Sequence, residues 1–201
     1  MNENQTPDNS RSVADHRQVL AAFQAIEDKN ALAWSILDTK SETAITRAIA
    51  VAANRVARAR VAYVEYPPRV DLVFCESGSP IAAYEAKAAY VTDFQERRIS
   101  KNDWYLGECT DDDLVKLAGL NLRHPTMRQV SGIFFIYEVG DPTKQLKYGG
   151  NPRVEASRAL EALASGVKLG RLSATGMIDC GQADGNPVKV HMCIFDPVAT
   201  R

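Results

Sequence analysis

Hydrophobic residues in the first part of the chain recur at helical spacing. Between Val13 and Leu37 they fall three or four positions apart, which predicts one or two helices. From Ser41 to Arg60 they form one continuous stripe, so this segment is the clearest predicted helix. Thr39 and Glu42 have the spacing of a capping box that would open it. Met1–Ser12 is almost entirely polar, and we expect a disordered tail there because it cannot bury enough apolar surface to offset the entropy of ordering.

The middle of the chain changes to short runs rich in β-branched and aromatic residues. Three such runs, separated by proline- and glycine-containing turns, predict an antiparallel meander: Val61–Tyr66, Val70–Cys75 and Ile81–Ala89. The acids Asp111–Asp113 then open a helix, because carboxylates are favoured at the amino end of a helix. Ile133–Val139 is nearly all apolar, as in a strand covered on both faces, and the helix before it predicts a crossover connection.

The last quarter of the chain predicts one more helix and a hairpin. The helix is expected at Val154–Ser165, and strands at Leu172–Cys180 and Val188–Phe195 flank a loop with Asp184 and Gly185. The order of elements is therefore α, β, β, β, α, β, α, β, β. This order indicates an α/β fold in which a mixed β-sheet is flanked by helices.

Composition and charge narrow the class of protein. The 201 residues are 45% hydrophobic and 24% charged, which favours a single globular domain over 13–201, with a core at 41–139 and a C-terminal elaboration at 152–196. Lys and Arg (24) nearly balance Asp and Glu (25), so no global positive charge would drive indiscriminate nucleic-acid binding. No segment contains the roughly 20 apolar residues of a membrane span. We therefore expect a cytoplasmic protein with no membrane partner, and cysteines without a CxxC pair are expected to be reduced thiols.

Two acids and a lysine interrupt apolar strands in the meander. Glu85 and Lys87 lie two positions apart in the third strand and therefore point to the same face. Asp71 lies inside the second strand, where aspartate is disfavoured. A turn centred on Gly78 would place Asp71 directly opposite Glu85. Two carboxylates with Cβ atoms roughly 5 Å apart repel each other, so this arrangement needs a compensating positive charge.

Two interpretations of this cluster are open. A divalent cation held by both carboxylates, Mg²⁺ with Mn²⁺ as a substitute, would relieve the repulsion, and Lys87 beside it would stabilise charge on phosphoryl oxygens. Such a site hydrolyses phosphodiesters and must be open to solvent so that the ion can bind. The alternative is an ion pair of Lys87 with Glu85 or Asp71 on a wet sheet face, worth only about 0–1 kcal/mol.

The order of these elements resembles the PD-(D/E)XK nuclease superfamily. Asp71, a turn and Glu85-x-Lys87, followed by a helix and a strand and preceded by a long helix, resemble a restriction-endonuclease-like core over about residues 41–139. The resemblance implies that Asp71 and Glu85 are metal ligands and that the Ala86 carbonyl completes the metal site. It also implies that Lys87 positions the attacking water.

The resemblance carries further expectations about the site and the function. Many members add a glutamate from the first helix, and Glu42 is the candidate, although its capping-box role is an equal alternative. Val70 precedes Asp71 where the family motif has proline, which supplies no ligand. The implied activity is that of a Mg²⁺-dependent endonuclease acting on DNA, working as a homodimer or with a protein partner. A non-catalytic binding or assembly module that keeps the fold is the competing function.

Three other features near the motif have an interpretation from sequence. The charged segment Gln95–Lys101 follows the motif strand and either contacts phosphates or is a solvated loop. Ala83 and Ala89 share the face of Glu85, and small residues there fit a surface that another molecule approaches closely. His191 lies on the more polar face of the last strand and is interpreted as a surface histidine.

Overall fold

The computed structural model describes residues 9–39, 42–56, 60–66, 70–94, 110–119, 126–140 and 156–198. The helices are α1 (Asn9–Gln24), α2 (Lys29–Thr39), α3 (Glu42–Val56), α4 (residues 110–119) and α5 (Ala156–Gly166). The strands are β1 (Arg60–Tyr66), β2 (Val70–Glu76), β3 (Ser79–Tyr90), β4 (Gln129–Val139), β5 (Gly170–Ala183) and β6 (Asn186–Pro197). A short 3₁₀ helix, Val91–Phe94, follows β3.

The six strands form one mixed sheet in the order β1-β2-β3-β4-β6-β5. β1, β2 and β3 form the antiparallel meander, and β4 pairs in parallel with β3. β6 pairs antiparallel with β4, and β5 completes the sheet beside β6. The predicted α/β class with a mixed sheet and flanking helices is confirmed, and so is the parallel pairing that the crossover required.

Helices cover both faces of the sheet. On one face α1, α2 and α3 pack over a large apolar cluster that includes Ala86 and Ala88 of β3. On the other face α4 and α5 supply buried leucines, and Ala83 packs with Leu117 of α4 while Ala89 lies in the α5 cluster. The expectation that Ala83 and Ala89 line an accessible surface was wrong, because helix side chains fill the space above them.

The N-terminal helix begins earlier than its hydrophobic pattern. Residues 9–12, predicted to belong to a disordered tail, form the first turn of α1, and residues 1–8 lie outside the described structure. Val19 and Phe23 are fully buried and fix the helix against the sheet. Once a helix is nucleated, each added turn needs little further stabilisation, so a polar turn can extend it.

The boundary between α3 and β1 also differs from the prediction. The helix expected to reach Arg60 is described only to Val56, and Arg60 already belongs to β1. Asn54 explains the reversal, because its side-chain amide donates to the Ala62 carbonyl at 3.0 Å and accepts from the Ala62 N–H at 2.6 Å. This pair fixes the first residues of β1 against the last turn of α3.

The β2–β3 hairpin has a tighter turn than predicted. Ser77 and Gly78 both have positive φ, 51° and 79°, as in a two-residue type I′ turn. The register shifts by one residue between Phe74 and Cys75, so the turn is not centred on Gly78. Beyond this bulge Leu72 pairs with Tyr84, which is the register that the sequence predicted for the candidate site.

A buried polar network joins both ends of the described chain to β4. One oxygen of Asp196 accepts hydrogen bonds from Gln129 at 2.7 Å and from Ser131 at 2.6 Å, and it lies 2.8 Å from Nε2 of His16 on α1. Burial alone would raise the pKa of Asp196, but hydrogen bonds from His16, Ser131 and Ser173 outweigh burial and lower it. The ionised carboxylate therefore stabilises the fold.

We expect Asp196→Ala to lower the free energy of unfolding by about 3 kcal/mol, because it leaves buried donors without an acceptor. Urea denaturation at pH 7 measures this loss, with exposed Asp38→Ala as the control that should change stability by less than about 0.5 kcal/mol. Since the pKa of Asp196 is lowered in the folded state, the stabilisation is present above pH 4 and disappears as the pH falls through the folded value. An equal loss in both variants would contradict this role.

Candidate metal centre

The candidate site lies where β3 continues past the end of its pairing with β2. The last described pair between these strands is Leu72 with Tyr84. The next amides on that edge of β3 belong to Ala86 and Ala88, and both donate to side chains instead of to a strand. Ala86 N–H donates to Oδ2 of Asp71 at 2.8 Å, and Ala88 N–H donates to Glu42. Two backbone amides thus fix the positions of two carboxylates.

Asp71 and Glu85 meet at this point, as the register predicted. The two carboxyl groups lie close enough to share a hydrogen bond when one of them is protonated, and Glu85 is only 3% exposed. Burial first, and then the neighbouring Asp71, raise the pKa of Glu85 from 4.5 to about 8. At neutral pH a proton or a cation must therefore accompany the pair.

Helix α4 brings a fourth acid and a second lysine to the site. Asp113 lies 3.2 Å from the ammonium group of Lys87, and Lys116 forms an ion pair with Glu85. Residues three apart on a helix share one face, as do residues two apart on a strand, so the four side chains form two adjacent ion pairs. Each pair joins α4 to β3.

Lys87 carries its charge within a negative environment. Burial alone would lower its pKa, but Asp113 first, and then Glu42 and Asp71, more than offset burial and raise it. The pKa of Glu42 is raised by burial and by Asp71, against the opposing effect of Lys87. Lys87 is therefore a fixed positive charge that several carboxylates surround.

The position of α4 is fixed by contacts at its first turn. Asp111 is 8% exposed and accepts the backbone N–H groups of Lys168 and Leu169, the latter at 2.7 Å. Gly170 allows the close approach behind them, because a Cβ there would lie 2.7 Å from Leu114. The helix therefore packs rigidly against the start of β5, and its outer residues are held over β3.

The donor set fits a magnesium ion bound through few protein ligands. The cluster contains four carboxylates, Glu42, Asp71, Glu85 and Asp113, but only two ammonium groups, so it carries excess negative charge when ionised. No group of three or more His, Cys, Asp or Glu side chains among the described residues is arranged around one metal position. Mg²⁺ is commonly held by one or two carboxylates with water and phosphate oxygens, so the Asp71–Glu85 pair suits this ion.

The structure brings together all four side chains proposed from sequence: Asp71, Glu85, Lys87 and Glu42. Ala86, the proposed carbonyl ligand, lies between Glu85 and Lys87 on β3. Thr39 ends α2, and the Glu42 carboxylate accepts from Ala88, so the geometry favours the site role of Glu42 over the capping box.

Sequence reasoning missed the contributions of Asp113 and Lys116. By itself the acidic run predicts only the start of a helix, and it assigns no role to Lys116. The available signal was their spacing of three, which places both on one side of α4 when that helix forms. Only the tertiary packing of α4 shows that this side faces Glu85 and Lys87.

Access to the site is narrower than expected. The sequence suggested acids on an open surface, but Glu85 is buried. Exposure is concentrated on the lysines: the side chain of Lys87 is 34% exposed and that of Lys116 is 48% exposed. In the two ion pairs, the exposed surface therefore belongs mainly to the lysines.

Two further interpretations from sequence concern the charged segment Gln95–Lys101 and His191. Gln95–Lys101 falls outside the described residues. His191 is not a plain surface residue: its side chain is 16% exposed and lies 2.8 Å from Glu138, because β4 and β6 are neighbours and bring the two together.

No protein-family model, curated protein or solved structure matches this chain.

Within the described segments, no helix is long and apolar enough to cross a membrane. Cys75, Cys180 and Cys193 are buried free thiols, as expected.

Glu85 should make stability depend on pH. Its pKa is raised in the folded state, so the native protein binds a proton more tightly than the unfolded chain, and stability falls as the pH rises from 4.5 towards 8. Relative to Glu85→Gln, wild-type unfolding free energy should fall by up to about 1.4 kcal/mol for each pH unit in that interval. Urea denaturation across the pH series measures the difference.

The control for this series is Glu161→Gln, which changes an exposed glutamate on α5. Its curve should run parallel to that of the wild type. If the Glu85→Gln curve were parallel as well, Glu85 would not be the group responsible.

Proposed function

We propose that this protein is a Mg²⁺-dependent nuclease that hydrolyses phosphodiester bonds of nucleic acid. The observation that carries the proposal is the convergence of Asp71, Glu85 and Lys87 at the end of the β2–β3 ladder. The sheet order supports it, because a helix, an antiparallel meander and a parallel fourth strand are the arrangement that the restriction-endonuclease-like resemblance implies.

Asp71 and Glu85, with the Ala86 carbonyl, would hold the metal, and the Glu42 carboxylate interacts with Asp71 and Lys87. A bound Mg²⁺ supplies Lewis-acid polarisation of phosphate and an acidified water. The amide of Ala86 orients the Asp71 carboxylate before any ligand binds. Lys87, held at 3.2 Å by Asp113, orients the attacking water and stabilises negative charge on phosphoryl oxygens.

DNA is the proposed substrate on the basis of the resemblance, and the protein is proposed to act in the cytoplasm. The formal net charge of −1 supplies little general attraction to nucleic acid. Affinity therefore depends on local contacts, and a homodimer or a protein partner would provide a larger binding surface.

A non-catalytic binding or assembly module is the second candidate. The observation that favours it is that both lysines already have carboxylate partners, Lys87 with Asp113 and Lys116 with Glu85. These pairs attach α4 to the sheet and could have a structural role alone. Metal binding separates the two functions, because a structural cluster has no requirement for a divalent ion.

Divalent metal should stabilise the folded protein through the two carboxylates. With Mg²⁺ or Mn²⁺ at about 100-fold above its Kd, we expect the midpoint of thermal unfolding to rise by roughly 5–10 °C. Asp71→Asn and Glu85→Gln should abolish the shift, whereas Asp112→Asn, an exposed neighbour on α4, should keep it. A wild type without a shift, or a shift that persists in both ligand variants, would favour the module.

Lys87→Ala should fold and retain the metal-induced shift but lose at least about 100-fold in cleavage rate, because the water and the phosphoryl charge lose their positive partner. Nicking of supercoiled plasmid and degradation of single-stranded DNA with Mg²⁺ or Mn²⁺ measure the rate. Glu85→Ala serves as the inactive reference. Lys189→Ala serves as the control, because it removes a lysine of β6 that is paired with Glu138 of β4. Undiminished cleavage by Lys87→Ala would exclude Lys87 from the mechanism.

A further inference from the structure

The two lysines of the cluster have different kinds of partner. Lys87 pairs with Asp113, an acid that the proposed metal site does not use. Lys116 pairs with Glu85, which is one of the two proposed metal ligands. An ammonium group in contact with a carboxylate oxygen and a divalent ion on the same carboxylate repel each other. Metal binding at Glu85 therefore weakens the contact between Glu85 and the Lys116 ammonium group.

Lys116 is also the lysine that can move. Its side chain is 48% exposed, and the ammonium group ends a flexible four-carbon stem. Helix α4 cannot move with the Lys116 side chain, because Asp111 is hydrogen-bonded to the turn before β5 and because Leu114 and Leu117 are buried. A displaced Lys116 ammonium group thus stays within one side-chain length of Glu85.

We propose that Lys116 exchanges partners when metal binds: its ammonium group leaves Glu85 and binds a phosphate oxygen of the nucleic acid. This inference rests on the proposed function and deepens it, because it assigns a phosphate-binding residue outside the D…ExK motif. Lys116 then makes phosphate affinity depend on metal. Without metal, Glu85 holds the ammonium group and no positive charge is released for the substrate.

The exchange also keeps Glu85 compensated by a positive charge in each state. In the metal-free protein, Lys116 compensates Glu85. With metal bound, the ion compensates Glu85 and Asp71, and the released ammonium group compensates an incoming phosphate. Asp113 keeps Lys87 in place throughout, so one lysine remains fixed while the other responds to metal.

Fluorescence anisotropy of a labelled duplex DNA oligonucleotide tests this exchange, with the full chain at 4 °C in Mg²⁺ or in EDTA. A gel after each titration confirms that the DNA is intact. We expect Lys116→Met to weaken binding by about fivefold in Mg²⁺, as for the loss of one charge-assisted phosphate contact, and by less than about twofold in EDTA. Lys116→Arg should restore the metal-dependent affinity.

Lys189→Met is the matched control, since Lys189 is also paired with a glutamate and its side chain is 42% exposed. It should show no loss that depends on Mg²⁺. If Lys116→Met does not fold, Lys116→Gln retains a hydrogen-bond donor for Glu85 and replaces it in the same titrations.

The outcomes distinguish this inference from the proposed function. An equal loss in Mg²⁺ and EDTA would mean that Lys116 contacts DNA without exchange, and no loss in either would mean that it contacts no phosphate; both overturn the inference alone. If wild-type binding were the same in Mg²⁺ and EDTA, and Mg²⁺ did not raise the thermal midpoint, the proposed function would fail and the inference with it.

Discussion

The candidate site depends on the edge of β3 beyond its last described pair with β2. Backbone amides cannot be left without acceptors in a partly buried place, because the cost of an unmade hydrogen bond is large. At Ala86 and Ala88 the acceptors are the carboxylates of Asp71 and Glu42. The same hydrogen bonds that complete the backbone therefore gather negative charge at one point, and the lysines and any metal ion respond to that charge.

Much of this arrangement could be predicted from the sequence because it is local. Runs of apolar and β-branched residues located each of the six described strands, and a two-residue side-chain period placed Glu85 and Lys87 on one face. The hairpin register at Leu72 and Tyr84 was also within reach, although the bulge at Phe74 was not. A bulge leaves no distinct pattern of apolar residues, so only the paired strands reveal it.

The rest of the site depends on long-range packing. Asp113 and Lys116 reach β3 only because Asp111 and the close contact at Gly170 fix the orientation of α4. Helical spacing identifies which residues share a face, but it does not say which strand that face will meet. The hydrogen bond of Glu42 with the Ala88 amide, in place of a capping box with Thr39, likewise depends on tertiary packing.

The hydrogen bond between His16 and Asp196 has a consequence for the order in which the molecule assembles. It joins positions 180 residues apart, so nearly the whole polypeptide forms the loop that this contact closes. α1 can form as a helix by itself, but its hydrogen bond to Asp196 requires β6 to be in place already. The contact that joins α1 to β6 is therefore among the last to form as the chain folds.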